Sequence, residues 1–102
     1  MKPKRYPPLP KVICAPGGDV TIVQLPKVKH PDGAECWGLW DDSLRTVTID
    51  ATATPAHRHW TLYHEMTHVA LSDSGLDEGI NAHLVEAICN CVATARMRER
   101  FG

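Results

Sequence analysis

Thr54-Pro55-Ala56-His57-Arg58-His59-Trp60-Thr61-Leu62-Tyr63-His64-Glu65-Met66-Thr67-His68-Val69-Ala70-Leu71-Ser72 is the stretch that decides the fold. A hydroxyl residue followed at once by proline is a strong helix start. The hydroxyl can cap a free backbone N–H, and proline fits the first helical position, where its own missing N–H costs nothing. The helix is expected over Pro55 to Ser72, with Gly75 placed to stop it. In its middle stands His64-Glu65-Met66-Thr67-His68, two histidines four residues apart with a glutamate beside the first.

On an α-helix that spacing returns almost to the same face, offset by about 40° and displaced by about 6 Å. Both imidazoles can therefore reach one metal ion at the roughly 2.0–2.1 Å that zinc–nitrogen bonds require. Glu65 is turned about 100° from His64, too far to chelate beside both rings but near enough to take a proton from water that the metal polarises. A chain with this histidine and glutamate content shows the pattern by accident on the order of once in fifty. A solvent-facing helix that merely carries two histidines would have polar neighbours, whereas here Leu62, Met66, Val69, Ala70 and Leu71 make the helix apolar. Histidines in such a setting need partners, and a shared zinc ion satisfies both.

A catalytic zinc site usually has three protein ligands and an open position. A second helix is expected from about Asp77–Ile80 toward Arg100, with Ile80, Leu84, Ile88, Cys91 and Ala95 as its core face. Glu86 lies at the edge of that stripe and is the best third candidate, with His83, Asp73, Asp77 and Glu78 in reserve. Asn90, one turn on from Glu86, could accept the second N–H of a ligand histidine. Leu71 and Ser74 stand where the metzincin pattern needs Gly and His, which excludes that class.

The first half of the chain reads as strands. Val12-Ile13-Cys14, then Val20 to Leu25, flank a turn at Pro16-Gly17-Gly18-Asp19, and His30-Pro31-Asp32-Gly33 is a second turn. Cys36 to Trp40 and Arg45 to Asp50 form a hairpin with a three- to five-residue connection, since Val47 and Ile49 alternate with Thr46, Thr48 and Asp50. Strands first and helices second predict an α+β domain: a small antiparallel sheet of three to four strands packed on two helices. The 102 residues allow one domain, 12–102, after a basic, proline-rich, extended leader over 1–11. A chain of this size favours an open cleft over an enclosed cavity.

A formal net charge of −1 gives no reason to expect nucleic-acid binding. No apolar segment suits a signal peptide or a membrane span, so the chain is expected to be cytoplasmic. Cys14, Cys36, Cys89 and Cys91 form no CxxC pair and read as reduced thiols.

HExxH on one helix with a glutamate on the next resembles the gluzincin arrangement of thermolysin-like peptidases. Gly38-Leu39-Trp40-Asp41 through Arg45-Thr46-Val47-Thr48-Ile49-Asp50, His64 to His68 and Leu84-Val85-Glu86-Ala87 resemble, more specifically, the small phage and bacterial proteins of the ImmA/IrrE metallopeptidase family. The resemblance spans about residues 38–95. It implies His64, His68 and Glu86 as zinc ligands, Glu65 as general base, and a sheet edge where a peptide could lie as an added strand. Larger relatives cleave repressors, so it also implies a peptide or protein substrate, with a transcriptional repressor among the candidates. The chain departs from the thermolysin-like pattern at Asn90, where that pattern has Asp, and no added domain that would choose a target is expected within its 102 residues. Tyr63 and His83 are the candidates for stabilising a transition state. Two alternatives differ in class: a deformylase-like amide hydrolase that uses Cys36, and a metal-stabilised binding module without catalysis.

Overall fold

The computed structural model describes residues 6–102. Four strands form one sheet in the order β1-β2-β6-β5: β1 (Val12–Ala15), β2 (Gly18–Leu25), β6 (Thr46–Asp50) and β5 (Gly38–Asp41). A separate two-stranded sheet pairs β3 (Val28–Lys29) with β4 (Glu35–Cys36) around the His30–Gly33 turn. Two helices follow, α1 (Pro55–Asp73) and α2 (Ala82–Phe101), joined through a 3-10 turn at Leu76–Gly79. The chain is thus α+β, with a small sheet and two helices. No helix among the described residues is long and apolar enough to cross a membrane.

The sheet is mixed, which corrects the antiparallel expectation. β1–β2 and β5–β6 are antiparallel hairpins, but β6 runs parallel to β2, with Ile22 beside Val47. The cause lies in the β3–β4 excursion, which re-enters the sheet so that the β5–β6 hairpin docks with β6 inward. That choice buries Val47 and Ile49 completely and leaves β5, which carries Gly38, as the edge. Val20, Ile22, Val47 and Ile49 alternate onto one face and meet Leu62 and Val69 of α1, with Trp40 and Met66 packed around them.

The caps are those the residue types predict. Thr54 Oγ1 accepts from His57 N at 3.2 Å, and Pro55 opens the helix. Gly75, at φ 76°, turns the chain after Ser74. The start of α2 is corrected: Asp77 and Glu78 sit in the 3-10 turn and Ile80 is extended. The helix begins after Asn81, whose Oδ1 accepts from Leu84 N at 2.8 Å. Its core face is corrected too. Val85, Cys89 and Ala93 are buried, whereas Leu84, Cys91 and Ala95 are exposed. The buried row is the one that carries the small side chains Cys89 and Ala93, which suit close helix packing.

Lys2, Pro3, Lys4 and Arg5 of the leader lie outside the described residues. The rest of the leader is docked on the domain. His59 Nε2 donates to Pro7 O at 2.7 Å, Tyr6 packs on Phe101, and Leu9 rests on the core.

Candidate metal centre

Helix α1 presents His64 and His68 on the side facing α2 and the edge strand. Their rings lie 5.0 Å apart between centroids. Glu86, on the first turns of α2, reaches across to both: Oε2 is 3.3 Å from His64 Nε2, and Oε1 is 2.8 Å from His68 Nε2. Two atoms each bonded to one tetrahedral zinc stand roughly 3.3–3.4 Å apart, so the three groups converge at a spacing an ion could bridge. The ligand atoms of His64, Glu65 and His68 also lie within 4.8 Å of one another.

Glu65 projects from the neighbouring face toward the sheet. It is 6% exposed and its Oε2 is buried without a partner. Burial, and secondarily the charge of Glu86, pushes its carboxyl up to about 7. An orphaned buried carboxylate oxygen beside two imidazoles is costly in the chain alone and suits a polarised water or a cation nearby. His64 is shifted the other way. Burial holds its pKa below the ordinary value against the pull of Glu86, which keeps the ring neutral, as ligation requires. These donors fit a divalent cation of the nitrogen- and oxygen-loving kind.

The group opens into a cleft of about 470 Å³ between α1 and the β4–β5 edge. Gly38 makes that approach possible: a Cβ there would stand 2.6 Å from Thr61 Cγ2 and 3.0 Å from Glu65 Cγ. Trp60 stacks on His64 with 5.1 Å between ring centroids and an interplanar angle of 26°, and its Nε1 donates to Thr94 Oγ1 at 3.3 Å. This pins the imidazole from behind.

The structure brings together His64, Glu65, His68 and Glu86 and separates the remaining candidates. Tyr63 points along α2, where its hydroxyl accepts from Arg100 Nη1 at 2.7 Å. A tyrosine one residue before His64 is rotated about 100° off the ligand face, which is why it cannot serve the cleft. His83 is exposed at the start of α2 and does not line the cleft. Asn90 is close enough to favour the charged His64 ring slightly, but His64 Nδ1 stays buried with no hydrogen-bond partner. Asp73 is committed elsewhere, in a two-pronged pair with Arg45 at 2.9 Å and in accepting from Gly17 N at 2.9 Å. Asp77 and Glu78 are exposed on the 3-10 turn. Cys36 does line the cleft, yet its thiol turns to Val28 O at 3.8 Å, and burial and Glu65 raise its pKa.

Trp60 and Gly38 were not foreseen as site residues. Trp60 was legible in principle, being one helical turn before His64. His30, which the β3–β4 turn carries to the cleft, left no signal in the sequence. Compared with known protein families, with curated proteins and with solved structures, the chain matches none.

Proposed function

We propose that this chain is a zinc-dependent peptidase whose metal is held by His64, His68 and Glu86 and whose general base is Glu65. The observation that carries the reading is the Glu86 carboxylate lying between the two Nε2 atoms at 3.3 and 2.8 Å, with the unpartnered Glu65 oxygen alongside. Bound zinc would supply Lewis acidity, polarising a carbonyl and acidifying water. Glu65 takes the proton of the attacking water and delivers it to the leaving nitrogen as the C–N bond breaks. Burial disfavours its charged form and so favours proton uptake.

The rim supports a peptide as the substrate. Among the described residues β5 pairs only with β6, so its outer edge can take an extended peptide as an added strand beside the cleft. The peptide is then read by Leu39 and Trp40 of β5 and by Trp37 and Trp60. The reading places the protein in the cytoplasm, where four unbridged cysteines are usual.

Cys36 in the cleft is the one observation favouring a deformylase-like amide hydrolase. That reading requires its sulfur on the metal instead of the Glu86 carboxylate. Elemental analysis tests the proposal. Protein purified without chelator should carry about one zinc per chain, and chelation should lower the melting temperature, because an ion held by His64, His68 and Glu86 would tie α1 to α2. Absence of zinc uptake at neutral pH, even with added zinc, contradicts it.

A further inference from the structure

Among the described residues, the fold buries one flank of α2. Val85, Cys89 and Ala93 face α1, with Glu86 beside them at the cleft. About 130° round the helix from that buried row, Leu84, Ile88, Cys91 and Ala95 recur at spacings of four, three and four residues. This is the seam spacing by which two helices pair. Leu84 is 48% exposed, Cys91 and Ala95 are exposed, and Ile88 is half-buried, so the seam has no partner among the described residues.

The seam complements itself. Turned end for end about a point between Cys89 and Asn90, Leu84 of one copy meets Ala95 of the other, and Ile88 meets Cys91. Each large side chain thus faces a small one. The surface around Ala95 is already hollow, with Asn90 and the four residues Cys91, Thr94, Ala95 and Arg98 lining a depression of about 330 Å³. Four residues at that spacing form the hole that a knob such as Leu84 fills. Charge agrees with the same arrangement. Arg98 comes opposite the amino end of the second α2, where Asp77 and Glu78 stand, and all three are exposed without an ion pair among the described residues.

We infer that the occupant of this face is a second copy of the chain, docked as an antiparallel α2–α2 pair across a two-fold axis. Glu86 points roughly 170° away from the seam, so the pair leaves the cleft open. The inference does not depend on the metal centre.

Sedimentation and register-specific cross-linking test it on the full chain. The protein should sediment as a dimer at micromolar concentration. In a Cys14→Ser background, mild oxidation should link the chains through Cys91, since the two copies lie about 4.5 Å apart along the pair. With Cys91→Ser added and the thiol moved by Leu84→Cys, no link should form, because those positions are separated by roughly 16 Å. Arg98→Glu should raise the dimer dissociation constant about tenfold, and Glu78→Arg added to it should restore affinity. Thermal melts confirm that each variant folds. A monomer at these concentrations, cross-linking at Leu84→Cys equal to that at Cys91, or a dimer indifferent to Arg98→Glu overturns the proposal.

Discussion

At Gly38 the backbone of β5 passes so close to α1 that a methyl group would meet Thr61 Cγ2 at 2.6 Å and Glu65 Cγ at 3.0 Å. Gly38→Ala must therefore push Glu65 or the strand aside. It should cost about 1–3 kcal/mol in denaturant unfolding, as overpacking usually does, and should lower turnover by misplacing the base. At Glu86 the side chain is 55% exposed and bridges two largely buried histidines. Glu86→Ala leaves both imidazoles on one rigid helix, so zinc should still bind, but weaker by roughly 100-fold or more, since even outer partners of metal ligands are worth 10–100-fold. Competition with a chromophoric chelator reads this directly. Affinity equal to wild type places the third ligand elsewhere. HExxH alone marked His64, Glu65 and His68. Glu86 was legible as an edge position on a helix and through the family resemblance, and the first of these rested on a core stripe the structure corrects. Glu86 lies beside the true stripe as well, because it follows Val85 directly and precedes Cys89 by one turn.

The elements are held in register by a clamp at the far end of α1 from its cap. Arg45, at φ 45° where the β5–β6 hairpin ends, donates to both Asp73 oxygens at 2.9 Å and to Gly18 O at 3.0 Å. Gly17 N closes the same carboxylate, and a Cβ at Gly17 would stand 2.6 Å from Asp73 Oδ1. Hairpin, β1–β2 turn and helix end meet at one ion pair, which orients the helix bearing the histidines. Arg45 holds the Asp73 carboxyl down at about 2, below its ordinary 3.8, with Gly17 assisting. A depressed carboxyl pKa stabilises the fold above the ordinary value and loses that contribution as pH falls through the folded one. Asp73→Asn should therefore be less stable than wild type at neutral pH. The difference should shrink as pH drops from about 4 toward 2, as read by thermal melts across that range. A gap that stays constant with pH would mean the pair contributes nothing through its charge. The strands of the main sheet and the start of α1 were readable from alternation and capping residues, whereas the start of α2 at Asn81 was not. The parallel β2–β6 pairing and the β3–β4 sheet were not, because pairing across a long excursion depends on which hairpin strand gains more burial. Local patterning does not encode that difference.

Across the whole molecule, the sheet and α1 make a platform, α2 closes one side, and the cleft between them exposes the four convergent groups. The α+β architecture follows from strands preceding helices, and an open cleft follows from a chain too short to enclose one. What the sequence hid is the second apolar stripe of α2. Leu84, Ile88, Cys91 and Ala95 carry the stronger apolar period, yet the fold buries Val85, Cys89 and Ala93, where small side chains allow the helices to touch. The central claim joins the metal centre to a reaction, and one comparison tests both. Wild type and Glu65→Gln, each loaded to one zinc per chain, are incubated with a peptide library and the new amino termini are counted by mass spectrometry. The amide keeps the shape of the side chain but cannot take a proton, so zinc content should be equal while cleavage falls by about 10²-fold or more. Equal cleavage by the two proteins, or no cleavage by zinc-loaded wild type, contradicts the account.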